Sequence, residues 1–321
     1  MQPLDLDLGG IHLRVTVDQP AIRGHALERY DGFFHLAPPK QADLEIHFRI
    51  DLESRPHRYH PVWVDSPPIT SRGSMEHAWI EGEAFSGEID WQRGNGTAVI
   101  PNSLAHLDLF VRIALGVELL RRRSTLLHAA AVVRDHFGII CSGPSGAGKS
   151  TIADICRDLG LRVLADEMVV ARMQGASCRV IGSPFWHGER RSAPAGAVFI
   201  LEQTETPRIE RISAARALPR MMEAGGAPLA LPDVQAAFFE TCGMLLERIP
   251  AYRLGFSKNP GFWEVVDRLP EFAFFKPNTR QPLAPSTTMK TLPSLQSALS
   301  SADPSPTRPP RTPTPQHGDS K

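Results

Sequence analysis

The sequence has no excess charge of either sign and only four cysteines among its 321 residues. Lys plus Arg and Asp plus Glu number 35 each, so no overall positive field attracts nucleic acid or an anionic membrane, and we expect neither as a partner. The cysteines form no C-x-x-C pair, which argues against a zinc site. We therefore expect four buried free thiols.

Long apolar runs are also absent. No stretch approaches the roughly 18 uninterrupted apolar residues of a transmembrane helix, and the first residues lack the basic start and apolar core of a signal peptide. The hydrophobic content of 42% is normal for a globular protein, and the length suits two ordinary domains or one large domain with an appendage. We expect a cytoplasmic protein.

Hydrophobic patterning divides the chain into three parts. Residues 1–100 alternate apolar and polar side chains between turns rich in Pro and Gly, which predicts a small β-rich unit of strands and turns; substrate recognition is one candidate role for it. Residues 101–275 begin with a helical pattern and continue with mixed strand and helix patterns, typical of an α/β domain. Residues 276–321 contain 10 Pro and 14 Ser or Thr, which predicts a disordered tail.

One segment, 143–150, fits the phosphate-binding pattern G-x-x-x-x-G-K-[ST]. A short apolar strand pattern precedes it and a helical pattern follows it, which is the context that the motif requires. Backbone N–H groups of the turn and the positive end of the helix attract phosphate, while Lys149 would reach the β- and γ-phosphates and Ser150 would bind Mg²⁺. We therefore expect ATP and Mg²⁺ as cofactors. The candidate cofactor-binding residues are Gly143, Ser145, Gly146, Ala147, Gly148, Lys149, Ser150 and Thr151.

Two consecutive carboxylates, Asp166 and Glu167, follow an apolar strand pattern over 161–165. Phosphoryl transfer needs a carboxylate that organises Mg²⁺ and often a group that accepts the proton of the attacking hydroxyl. Neighbours on a strand point to opposite faces, so one carboxylate can serve the metal and the other can act as the base. Either could take either role; Ser150 and Asp166 are the candidate metal ligands.

The segment 182–191 concentrates an aromatic pair, a histidine, an acid and two arginines. Arg190 or Arg191 could supply the cation that stabilises charge on a transferred phosphoryl group. The alternative is a packed loop with solvated arginines, and the sequence does not separate the two.

His128 lies in an apolar strand pattern 15 residues before the phosphate-binding segment. The histidine, the glycine-rich loop and the paired acids resemble the C-terminal catalytic domain of bacterial HPr kinase/phosphorylase, a serine kinase related to the nucleotide core of phosphoenolpyruvate carboxykinase. That family carries a histidine early in a strand, a loop of the form G-x-S-G-x-G-K-S and a strand ending V-A-D-D. The resemblance covers residues 125–172 firmly and residues up to 275 loosely.

The resemblance implies an α/β fold with a P-loop nucleotide-binding core of the HPr kinase type, and a possible homo-oligomer. It also implies a serine kinase in which one acid coordinates Mg²⁺ and the other, assisted by His128, acts as the base. Thr151 stands where the family usually has Glu, Glu167 replaces the second Asp, and the signature linked to phosphorolysis is missing. Residues 1–100 do not resemble that family's N-terminal domain. The chain is more similar to kinase-like relatives found beside peptide-modification genes, which act on small ribosomal peptides.

Taken together, these features favour an ATP- and Mg²⁺-dependent kinase that phosphorylates a serine or threonine hydroxyl on a protein or peptide. Two alternatives stay open: a P-loop kinase of small molecules, and a regulatory module that senses ATP without transferring phosphate. All three would use Lys149 to bind the nucleotide, so the loop alone does not distinguish them.

Overall fold

The computed structural model describes residues 2–54 and 69–269, which form a mixed α/β structure with two sheets. The predicted tail, 276–321, lies outside the described residues. The N-terminal sheet has seven strands in the order β1-β2-β3-β7-β6-β5-β4. These strands are β1 Leu4–Leu8, β2 Ile11–Val17, β3 Leu44–Asp51, β4 Thr70–Gly73, β5 His77–Gly82, β6 Phe85–Asp90 and β7 Asn95–Pro101.

The C-terminal sheet has eight strands, with the path β10-β8-β11-β12-β13-β15-β14 and β9 paired with both β8 and β13. Its strands are β8 Ser124–Arg134, β9 Phe137–Ser142, β10 Arg162–Ala165, β11 Met168–Gln174, β12 Ser177–Gly182, β13 Ser192–Gln203, β14 Arg208–Ile212 and β15 Ala251–Phe256. The helices are α1 Pro20–Arg29, α2 Leu104–Arg121, α3 Lys149–Asp158, α4 Ala214–Ala224, α5 Pro232–Arg248 and α6 Phe262–Val266. Both sheets belong to one compact unit.

Helix α1 corrects the expectation that residues 1–100 contain only strands and turns. It begins at Pro20, whose fixed φ suits the first turn of a helix. Within the helix, only Ile22 and Ala26 are buried, four residues apart. Two apolar contacts in ten residues give too little periodicity to predict a helix from the sequence.

Helix α2 joins the two sheets. It contacts β2 and β7 of the N-terminal sheet and β8 of the C-terminal sheet. Residues 106–120 are all buried, including the charged side chains of Asp108, Arg112 and Glu118. A helix buried on every side shows no single apolar stripe. The buried surface of α2 is therefore wider than the helical pattern of apolar residues that begins the segment 101–275.

Four strands of the C-terminal sheet end at one edge. β9 is parallel to β13, and β13 is parallel to β15. β10 and β9 are both antiparallel to β8, so they also run in the same direction. The segments that follow these four strands therefore meet at one edge, and ligands of α/β sheets bind at such edges.

The four cysteines, Cys141, Cys156, Cys178 and Cys242, are free and buried, which confirms the expectation of inert thiols. Burial raises the pKa of Cys156 to about 12 and that of Cys178 to about 11, so neither is a ready nucleophile near neutral pH. Within residues 2–54 and 69–269, no helix combines the length and apolar character that a bilayer crossing requires.

Phe110 connects α2 to the N-terminal sheet, because its buried ring packs edge-on against Phe48 of β3 and Phe85 of β6 at centroid distances of 5.6 and 6.3 Å. Phe110→Ala should lower the free energy of unfolding by about 3–5 kcal/mol, measured by urea denaturation. Phe239→Ala is the control, because that ring is 56% exposed and its loss should cost about 0.5 kcal/mol or less. Equal losses of unfolding free energy in the two variants would contradict the packing of Phe110 between α2 and the N-terminal sheet.

Candidate functional site

Residues 143–148 form a tight loop between β9 and α3, and Lys149 and Ser150 begin the helix. Gly146 and Gly148 have positive φ values of 79° and 102°, which a residue with a side chain rarely adopts. A Cβ atom at Gly148 would also lie 2.6 Å from the ring of Phe256. The loop therefore requires glycine here for two reasons, its backbone conformation and the close approach of an aromatic ring.

Lys149 is the first residue of α3 and is buried, with 6% of its surface exposed. Its ammonium donates to the carbonyl oxygens of Gly143 at 2.9 Å and Pro144 at 3.2 Å, both in the loop itself. Burial lowers the pKa of Lys149, and the charge of Glu167 opposes that shift. The positive charge of Lys149 therefore lies in the loop and within electrostatic reach of Glu167.

Asp166 follows the last residue of β10 and is 5% exposed. Its Oδ2 accepts a hydrogen bond of 2.7 Å from Arg157 of α3, the helix that starts at the loop. Its Oδ1 is buried and accepts no hydrogen bond from any of the described residues. A buried carboxylate oxygen without a partner is costly, so this atom is suited to a ligand that the protein binds.

Asp166 and Glu167 lie in a bend between β10 and β11, so the expected alternation of strand neighbours does not apply to them. Glu167 contacts His128 of β8. The Oε1 of Glu167 lies 3.2 Å from Nε2 of His128, and its backbone carbonyl accepts a hydrogen bond from Ala129. Nδ1 of His128 lies 2.5 Å from the carbonyl oxygen of Ala224, the last residue of α4. A carbonyl only accepts, so Nδ1 carries a proton, and Nε2 can bond Oε1 only when a further proton lies between them.

Sheet register explains why these residues lie at one edge. On β8, Ala129 is opposite Ser142, the last residue of β9 before the loop. On the same strand, Ala131 is opposite Ala165, the last residue before the two acids. His128 therefore directly precedes Ala129, the β8 residue opposite Ser142, after which the loop begins.

A cavity of about 350 Å³ adjoins the loop. Gly148 and the predicted residue Thr151 line one side of it. The other lining residues lie at the ends of β13 and β15 or directly after them: Gln203, Thr204, Glu205, Phe256, Ser257 and Lys258. Sequence reasoning missed these six, although each follows an apolar strand pattern of the kind that placed Asp166. Gln203 also donates to the loop carbonyl of Gly146 at 2.6 Å.

The two predicted arginines lie on a loop that packs against the end of β10. Glu189 donates to the carbonyl of Leu164, and a Cβ at Gly188 would lie 1.7 Å from the carbonyl oxygen of Ser183. Arg190 binds the carboxylate of Asp7 at 2.7 Å and the carbonyl of Phe34 at 3.0 Å, both in the N-terminal region.

Arg191 is exposed and lies 3.6 Å from Glu189. In this structure, Arg190 therefore attaches the 182–191 loop to the N-terminal sheet. The expectation that either arginine stabilises a transferred phosphoryl group stays a prediction.

Gly148→Ala should destabilise the protein more than Gly160→Ala does. Both positions have positive φ, so each substitution costs about 1–2 kcal/mol of backbone strain. Only Gly148 also faces a ring that cannot move freely, because Phe256 is buried against Phe262; the overlap should add about 1–3 kcal/mol. Urea unfolding of both variants measures the difference, and equal stability losses would show that Phe256 does not constrain the loop.

No family model matches the chain, and no curated protein matches it. Among solved structures, the Hpr(Ser) kinase/phosphatase from Coxiella burnetii is a weak structural neighbour, with 12% sequence identity and a TM-score of 0.25. That match covers 41% of this chain and 85% of the other. A likeness at this TM-score supports no assignment of residues or activity.

Proposed function

We propose that this protein is an ATP- and Mg²⁺-dependent kinase that phosphorylates a serine or threonine hydroxyl of a protein or peptide, on a P-loop core of the HPr kinase type. One observation carries the proposal. A glycine loop with a buried lysine, a buried carboxylate with an unpartnered oxygen and a carboxylate paired with histidine meet at one edge of the C-terminal sheet.

The loop and the neighbouring cavity suit a nucleotide. The triphosphate would lie in the loop, where backbone N–H groups and the start of α3 favour negative charge. The nucleoside would enter the cavity beside Gly148 and Phe256, whose volume of about 350 Å³ falls within the range of small-ligand sites. Lys149 would exchange the loop carbonyls of Gly143 and Pro144 for phosphate oxygens.

The residues at the end of β10 fit Mg²⁺. Asp166 offers a buried oxygen with no partner among the described residues, and Ser150 is the second residue of α3. In the described part of the chain, no three or more His, Cys, Asp or Glu residues form a metal-binding group. Mg²⁺ needs no such group, because it binds through one or two carboxylates together with substrate phosphates and water. When bound, it would neutralise charge that develops on the phosphates.

Glu167 would be the general base. Its Oε1 lies 3.2 Å from Nε2 of His128, and a carboxylate in this position can accept the proton of an acceptor hydroxyl. His128 is held by the Ala224 carbonyl, so its ring orients the carboxylate.

Lys149→Ala should reduce ATP-dependent labelling of protein and peptide acceptors by about 100-fold or more, because a cation at the transferred phosphoryl group is lost. The assay incubates the protein with γ-labelled ATP and mixed acceptors. Lys40→Ala is the control, because that residue lies outside the loop and should leave labelling unchanged. If the wild type binds ATP but labels no polypeptide, the kinase proposal is wrong. Binding without transfer would favour an ATP-sensing module, and labelled metabolites would favour a small-molecule kinase.

Glu167→Gln should lower kcat by about 10²–10⁴-fold and leave the affinity for ATP nearly unchanged, because the amide cannot accept the hydroxyl proton. Glu247→Gln is the control; this exposed residue lies on α5, away from the site. Steady-state transfer at saturating ATP and acceptor measures kcat, and a fluorescent ATP analogue measures binding. A variant with wild-type turnover would exclude Glu167 as the base.

A further inference from the structure

Glu167 also lines a second cavity, of about 150 Å³. The cavity lies between the start of α2, the 182–191 loop and the end of α1. Its principal lining residues are Arg29, Ala105, Arg112, Glu167, Phe185 and Trp186. The charge of Glu167 acts on both Arg112 in this cavity and Lys149 in the loop. The proposed base therefore lines this cavity and also acts electrostatically on the lysine of the nucleotide loop.

The size of the cavity limits what can occupy it. Small-ligand sites usually measure about 300–1,000 Å³, and a cavity of about 150 Å³ accommodates a group the size of benzene. This volume admits one amino-acid side chain but not a whole sugar or nucleoside. An occupant attached to a longer chain, with the rest of that chain outside, fits the space.

Charged side chains of both signs line the cavity. Asp108 is buried; it lies 3.1 Å from Arg29 and accepts a hydrogen bond from Tyr30 at 2.7 Å. Burial raises the pKa of the Asp108 carboxyl, and the charge of Arg29 opposes the shift. Two arginines, Arg29 and Arg112, thus line the cavity with two carboxyl groups, Asp108 and Glu167, and Glu167 also contacts His128. Because groups of both signs already face each other here, an uncharged hydroxyl side chain can enter without adding a buried charge, whereas a charged side chain cannot.

The cavity mouth carries an exposed aromatic ring in an unusual conformation. Trp186 has φ of +76°, which is costly for a bulky residue, and its ring is 51% exposed. The preceding residue, Phe185, is buried, and the guanidinium of Arg112 lies 5.9 Å from its ring centre. The backbone is thus held so that Phe185 is anchored inside while the Trp186 side chain is presented to solvent beside the cavity. An exposed tryptophan held in this way is suited to binding an apolar side chain.

The N-terminal region contributes to this cavity directly. Arg29 is the last residue of α1, and Arg190 ties the loop that carries Trp186 to Asp7 of β1. Residues 1–100 therefore help to shape the cavity that Glu167, the proposed base, lines. No motif in the sequence predicts this contribution.

We propose that this cavity is the acceptor site and that it takes the serine or threonine side chain of a polypeptide with an apolar residue next to the acceptor. The inference rests on the proposed kinase function. The acceptor oxygen attacks the γ-phosphorus of ATP and gives its proton to Glu167. The bond to the β,γ-bridging oxygen breaks, and its electron pair leaves with ADP. Trp186 is the specificity-determining residue, since it binds the neighbouring apolar side chain outside the cavity.

The test blocks the mouth of the cavity with a large side chain. Ala105 is the second residue of α2 and is exposed, so Ala105→Trp places a large ring at the mouth without disturbing the core. Ala215→Trp is the matched control, because Ala215 is the exposed second residue of α4 and does not line the cavity. The acceptor is a degenerate nine-residue peptide library with a fixed central serine, assayed with γ-labelled ATP. A fluorescent ATP analogue measures nucleotide binding separately.

We expect Ala105→Trp to lower kcat/KM for the library by about 100-fold, because the hydroxyl can no longer reach Glu167, while ATP affinity stays at the wild-type value. Ala215→Trp should behave as wild type. Trp186→Ala should lower kcat/KM by about tenfold and abolish the preference for apolar residues beside the serine.

The acceptor-site proposal and the kinase proposal are contradicted by different results. Wild-type transfer by Ala105→Trp, or unchanged peptide selectivity in Trp186→Ala, would overturn the acceptor site and leave the kinase function standing. If the wild type labels no peptide or protein while it binds ATP, the kinase function fails and the acceptor site fails with it.

Discussion

The candidate site depends on two consecutive carboxylates that follow β10 and contact different parts of the structure. Asp166 is paired with Arg157 of α3 and keeps one oxygen without a partner among the described residues, whereas Glu167 is paired with His128 of β8. Because α3 begins at the glycine loop, the same helix that would bind phosphate also fixes the carboxylate suited to the metal. The bend between β10 and β11 thus places two adjacent carboxylates against different partners, which is the separation that the proposed metal ligand and the proposed base would need.

The N-terminal region is structurally tied to this edge. Helix α2 packs against both sheets, and Arg190 binds Asp7 and the Phe34 carbonyl. An arginine that the sequence offered as a candidate for phosphoryl stabilisation therefore holds the 182–191 loop against β1. Arg29 also lines the second cavity, so under the proposed function residues 1–100 would influence which acceptor reaches Glu167.

Short sequence patterns predicted those parts of the site that are formed by residues close together in the chain. The glycine loop, the strand before it and the acids after β10 could be predicted because each has a short, specific pattern, and the strands that carry them confirm the mixed α/β architecture. Helix α1 was missed because it buries only two of its side chains. The cavity residues Gln203 and Lys258, and the pairing of Arg190, depend on which strands are neighbours, and single-sequence periodicity does not carry that information.

The most direct test of the central claim is a crystal structure of the protein with a non-hydrolysable ATP analogue and Mg²⁺. We expect this structure to show the triphosphate at residues 143–150, the nucleoside beside Phe256, and the metal in contact with Asp166. A nucleotide bound elsewhere on the protein, or a metal held away from Asp166, would contradict it.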